Sequence, residues 1–119
     1  MKRIVSLAAI FAVAATTLFA VVAYAGSTSA QTTTVKVSAK DSFRFTLSRS
    51  SAPHGKVSFV VKNSGRIKHD FAIAGKKTKL LGHNQTATLT VTLSKGKHGY
   101  KCTVPGHAQA GMKGTFKAT

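Results

Sequence analysis

Past its first 25 residues the chain is predicted to be all-β, an antiparallel sandwich or barrel. Three features point that way. Short runs alternate apolar and polar residues with period two, glycine-rich turns separate them, and no stretch after the leader carries helical periodicity.

The runs can be taken in order. Residues 35–39 alternate cleanly, and 43–47 do the same with Phe43, Phe45 and Leu47 on one face. Residues 48–55 hold Pro53 and Gly55 and read as a loop. Residues 56–62 are predicted as a strand with Val57, Phe59 and Val61 facing together, followed by a turn at 63–65. Phe71 and Ile73 share a face of a strand that runs through Ala74 and stops at Gly75. Residues 76–84 are basic and ambiguous, a loop with room for one short strand. Residues 85–93 alternate again, with Ala87, Leu89, Val91 and Leu93 on one face. A turn at 94–97 follows, and 99–103 and 113–118 supply the last two strands. Branched and aromatic residues dominate the inward positions, as pleated surfaces favour.

The N-terminus has another character. Lys2 and Arg3 precede an uncharged run over residues 4–25 that ends in Ala23-Tyr24-Ala25, a small-x-small signal. This is the pattern of a secretory signal peptide. The run is also long enough for an uncleaved membrane anchor. Residues 26–34, small and rich in Ser and Thr, follow as a flexible linker. Residues 35–119 are then one domain with one modest core. The expected location is periplasmic or otherwise extracytoplasmic, with a membrane tether if the leader is retained.

The chain carries 18 Lys and Arg against two acids, a formal charge of +16. Such a field attracts acidic proteins, and an anionic membrane surface is a second expected contact of the basic residues. Nucleic acid is not an expected partner. Phe43, Phe45, Phe59 and Phe71 take core-like positions, and no stacking platform interleaves the lysines.

The single cysteine, Cys102, cannot form an internal disulfide, and an unpaired thiol outside the cytoplasm invites oxidation. Taken alone it would be a buried, inert thiol. Its neighbours change that. His107 follows five positions on and Met112 five beyond, with Pro105-Gly106 and Gly111 to stiffen and then bend the path between them. Thiolate, imidazole and thioether together suit copper, which takes soft sulfur as Cu(I) and imidazole in either state. A trigonal His₂Cys site with a weak axial Met needs one more histidine. His69 is the candidate, at the entry to the strand whose Phe71 and Ile73 face the core. His98 shares the alternating face of Cys102 and Tyr100 but lies further down the strand, and Tyr100 is expected to pack inward. His54 and His83 sit in polar loops, and Asp41 reads as a turn residue. Asp70 admits two readings, a hydrogen bond across to the Cys102 loop or a surface counter-charge to nearby lysines.

His69-Asp-Phe, together with Tyr100-Lys-Cys102-x₄-His107-x₄-Met112-Lys-Gly, resembles the cupredoxin family, the small blue copper proteins. The likeness runs from about Val35 to Ala118 and is to the plastocyanin-like branch. The gap between Cys102 and His107 is nearer that of the azurin, auracyanin and rusticyanin types. The resemblance implies a Greek-key β-sandwich of about seven to eight strands and one mononuclear copper. It implies His69, Cys102 and His107 as equatorial ligands and Met112 as the axial one. One departure is visible: many members place Asn directly after the first histidine, where this chain has Asp70.

Four protein ligands leave no open position for a substrate, so the expected function is electron transfer between redox partners rather than catalysis. Val104, Pro105, Ala108 and Ala110 would make an apolar docking patch around His107. The lysines would steer an acidic redox protein, an oxidase or a reductase, towards it. The alternative is a periplasmic copper-binding or delivery protein that uses the same ligand set.

Overall fold

The computed structural model describes residues 31–119. The expected signal peptide, and the linker up to residue 30, lie outside the described residues. In chain order the strands are β1 (Thr33–Lys40), β2 (Arg44–Leu47), β3 (Ser51–Ala52), β4 (Gly55–Asn63), β5 (Ala72–Ile73), β6 (Lys76–Lys77), β7 (Thr86–Leu93), β8 (Gly96–Lys101) and β9 (Lys113–Ala118). One sheet has the order β2-β1-β4-β7 and the other β3-β9-β8-β5-β6. The chain passes repeatedly from one sheet to the other, and the result is a β-sandwich.

Several local expectations shift. The pairing is mixed, because β1 runs parallel to β4 and β3 parallel to β9. A parallel neighbour requires a crossover, and the repeated passage between sheets supplies it. β3 lies in a segment that reads as a loop, and β8 starts inside the expected turn at 94–97. The linker is shorter than expected, since Thr33 and Thr34 already pair with Val57 and Ser58. Asn63 belongs to β4 and is fully buried, where the sequence reads as a turn.

Alternation decides which residues enter the core. In β4, Val57, Phe59 and Val61 are all at 0% exposure, while Lys56 and Lys62 face solvent. Phe59 reaches across to the aromatics of the opposite sheet: its ring centroid lies 5.2 Å from Phe71, just before β5, and 5.2 Å from Phe116 on β9. Phe71 in turn meets Phe45 at 5.2 Å and Tyr100 at 5.4 Å. Tyr100 therefore packs inward, as its alternation predicts. A smaller apolar cluster of Ala39, Cys102 and Met112, edged by Phe43, Phe45 and Val104, adjoins this core where β1 and β8 end.

Phe43 departs from its expected strand position. It has φ 60°, a left-handed conformation that is uncommon for an aromatic residue. Its N–H donates to Lys40 O at 3.0 Å and closes the turn between β1 and β2. The ring is thereby turned out of the strand's alternation.

Truncation of Phe59 tests this account of the core. Phe59→Ala should lower unfolding free energy by about 3–5 kcal/mol, read from urea or guanidinium transitions. A loss below about 1 kcal/mol would contradict a central role for that ring.

Candidate metal centre

Three donor side chains meet at one end of the sandwich. The ligand atoms of His69, Cys102 and His107 all lie within 4.8 Å of one another. His69 Nδ1 is 3.2 Å from His107 Nδ1, and Cys102 Sγ is 3.5 Å from the same His107 nitrogen. The segments that supply them are far apart in sequence, and each is fixed by backbone hydrogen bonds.

His69 follows the turn after β4. Its N–H donates to Leu81 O at 3.1 Å, and Leu81 N–H donates back at 2.8 Å. Asn63 braces the same turn: Nδ2 donates to Ile67 O and Leu81 O, both at 2.8 Å, and Oδ1 accepts from Gly65 N at 2.9 Å. His69 is wholly buried.

Cys102 leaves the end of β8, and Met112 stands just before β9. These strands pair Lys101 with Lys113, so the two flanking residues are neighbours. Cys102 N–H donates to Met112 O at 3.1 Å and Met112 N–H to His107 O at 3.1 Å. Between them the chain winds through successive turns, His107 N–H to Val104 O at 3.0 Å and Gly111 N–H to Ala108 O at 3.0 Å. Gly111 has φ 115°, and a Cβ there would fall on the Arg44 guanidinium, which donates to Ala110 O at 3.1 Å. Cys102 and Met112 are buried, whereas His107 is half-buried. Met112 thus shares the small apolar cluster with Cys102.

Asp70 bridges the two ligand segments. Its Oδ1 accepts from Thr103 N at 2.6 Å, and Oδ2 accepts from the Thr103 hydroxyl. Its own N–H points at Cys102 Sγ, 3.5 Å away. Only 5% of Asp70 is exposed, which leaves little room for the surface counter-charge reading.

Two contributors were not evident in the sequence. Asp41, expected to be a turn residue only, places Oδ1 3.2 Å from His69 Nε2. Phe43 sets its ring against His107, centroids 4.9 Å apart and inclined by 63°. The remaining histidines are occupied elsewhere. His98 Nε2 lies 2.7 Å from Ser94 O, His54 Nδ1 is 2.8 Å from Thr119 O, and His83 Nδ1 is 2.8 Å from Gly65 O. Val104 and Ala108 are half-buried next to His107, and Pro105 and Ala110 are exposed.

The electrostatics follow from burial and local donors. Burial pushes the Cys102 thiol up, against the pull of the Asp70 and Val104 backbone N–H groups. A metal that took this sulfur as thiolate would therefore displace a proton. Burial, and then the charge of His69, lower His107, with Asp70 opposing. The Arg66 N–H holds Asp41 below the usual carboxylate range, with help from Ile67 N–H and His69 and against partial desolvation.

The fold has known counterparts. Residues 19–119 match the profile of copper binding proteins of the plastocyanin/azurin family. The chain belongs to that family. Dithionite-reduced auracyanin from Roseiflexus castenholzii has the same fold at a TM-score of 0.64 and 21% identity, over 76% of this chain and 99% of that one. Auracyanin A, a "blue" copper protein from Chloroflexus aurantiacus, superposes at 0.65 with 19% identity, over 75% and 100% of the two chains. Reduced rusticyanin gives 0.64 at 21% identity, over 76% and 81%. The copper-resistant cuproprotein CopI of Vibrio cholerae is 32% identical over 82 residues. That match covers 50% of this chain and 48% of CopI, so the chain corresponds to about half of that relative's length.

The His107 environment sets a pH dependence for the metal-free protein. A histidine held below its unfolded pKa stays neutral where the unfolded chain binds a proton. Its stabilising share is complete above about pH 6.5 and is lost as pH falls through that value towards the folded pKa. The urea midpoint of the metal-free protein should therefore drop between about pH 7.5 and pH 5, and His107→Ala should show a smaller drop.

Proposed function

We propose that this protein is a mononuclear blue-copper electron carrier that works outside the cytoplasm. The observation that carries this reading is the convergence of two imidazole nitrogens and one thiol within 4.8 Å on a rigid frame. The donors fit copper: a buried Cys102 sulfur, two histidine Nδ1 atoms, and Met112 buried in the same cluster. When bound, copper would supply a one-electron couple between Cu(I) and Cu(II).

The chain's residues would do the rest. His69, Cys102, His107 and Met112 would hold the copper. Four protein ligands leave no position for a substrate, in keeping with a carrier rather than an enzyme. Backbone hydrogen bonds at every ligand segment restrain the site, so a change of oxidation state moves little. His107 is the ligand nearest solvent, and Val104, Pro105, Ala108 and Ala110 surround it as the docking patch. Exposed Lys101 and Lys113 pair across β8 and β9, each next to a ligand in sequence. They and the other basic residues would draw an acidic redox partner towards the patch, and would favour an anionic membrane surface too.

Copper storage or delivery through the same ligands is the second reading. It is favoured by the name of the partly matching relative, a copper-resistant cuproprotein. Fast copper exchange with an acceptor, alongside sluggish reduction, would select it over the carrier.

The oxidised, copper-loaded protein should show an intense thiolate-to-copper band in the visible, and Cys102→Ser should abolish it. A copper complex without that band would sink the carrier reading. Its electron exchange with an acidic redox protein should slow as salt rises, because exposed charges are screened beyond about 8 Å at physiological ionic strength. Stopped-flow rates at two salt concentrations check this.

A further inference from the structure

Asp41 stands in the turn between β1 and β2, outside every ligand segment, yet its Oδ1 lies 3.2 Å from His69 Nε2. This carboxylate is not a loose surface group. Oδ2 accepts from Arg66 N at 2.7 Å, and Oδ1 accepts from Ile67 N at 3.0 Å. Both oxygens are thus held by backbone donors of the turn that leads to His69. Gly65 makes room for them, since a Cβ there would fall on the Asp41 carboxylate. The His69 ring is fully buried, which shields its Nε2 from bulk solvent.

An ionised carboxylate accepts hydrogen bonds and donates none. Nε2 must then carry the ring proton, which leaves the lone pair on Nδ1. Nδ1 is the atom that faces the site, 3.2 Å from His107 Nδ1. We propose that Asp41 is a positioning residue that fixes the tautomer and ring angle of His69 in the metal-free protein, and that its negative charge biases bound copper towards Cu(II). The tautomer is a property of the chain alone, whereas the bias rests on the copper reading above. A carboxylate on the far nitrogen makes an imidazole a more basic ligand, and loss of such a partner typically costs about 10–100-fold in metal affinity. The loss should be unequal, because the more highly charged Cu(II) gains more from a nearby anion.

Two measurements test this. In ¹⁵N-labelled metal-free protein near neutral pH, long-range ¹H–¹⁵N correlations should show His69 as the Nε2–H tautomer. The Nδ1–H tautomer, or an even mixture, overturns the proposal. In the copper-loaded protein, Asp41→Asn removes the charge and leaves one amide oxygen where two carboxylate oxygens had three donors. Cu(II) affinity should fall about tenfold relative to Cu(I), which is a rise in reduction potential of about 59 mV for one electron. Gly65→Ala keeps the charge but displaces the carboxylate, and should move the potential the same way. An unchanged potential in both variants, with the visible band intact, overturns the bias. If the wild-type protein shows no thiolate-to-copper band, the copper reading falls, and the metal-free spectrum still decides whether Asp41 sets His69.

Discussion

The site depends on Asp70 holding Thr103. His69 and Cys102 are 33 positions apart in sequence, and only tertiary contacts bring them together; Asp70 and Thr103, the residues that follow them, are joined by the carboxylate's two hydrogen bonds. The same residue directs its N–H at the Cys102 sulfur. One amino acid therefore sets the spacing between a nitrogen donor and a sulfur donor. A buried carboxylate is costly unless its oxygens are satisfied, and here each has a donor. Hydrogen bonds to charged groups contribute about 1.5–3 kcal/mol. That is enough to hold two loops in register against their own entropy.

The sandwich turns this local clamp into a rigid centre. The Lys101–Lys113 pairing pins both ends of the loop that carries Cys102, His107 and Met112. The loop is then closed again from Cys102 N–H to Met112 O. Below it lie the rings of Phe45, Phe59, Phe71, Phe116 and Tyr100, in mutual contact across the two sheets. A close-packed interior of this kind resists small displacements. Phe43 adds a lateral stop for the one ligand that is not enclosed, and its left-handed backbone is the strain accepted to put the ring there.

Local signals made much of this legible in the sequence. Alternation in β4 and β7 identifies their inward faces, because period two is a property of the strand itself. Cys102, His107 and Met112 fall within one loop, so their spacing can be read directly. His69 needed one further step, its place at the head of the Phe71–Ile73 face. What escaped was long-range. The parallel β1–β4 pairing depends on a crossover that no window of sequence contains. Asn63 looks like a turn residue because Asn-Ser-Gly usually is one; here its amide is swallowed by the carbonyls of Ile67 and Leu81. Asp41 gave a single usable hint, the scarcity of acids in so basic a chain.

That scarcity shapes the electrostatics of the whole protein. Both acidic side chains are engaged at the site, one on His69 and one on Thr103. No acidic side chain is left to offset the 18 basic ones elsewhere. For the acidic partner proposed above, attraction would be broad, and the apolar residues around His107 would have to supply the orientation. The lysines also raise the potential felt at the centre, which would favour the less charged Cu(I). They act through water and salt, and their effect is screened beyond about 8 Å. Asp41 and Asp70 stand closer to the site, one hydrogen-bonded to the His69 ring and the other to Thr103 beside Cys102. On the proposed reading, the balance between copper states would rest on the fixed charge at Asp41, and the many cations outside would govern how fast a partner arrives.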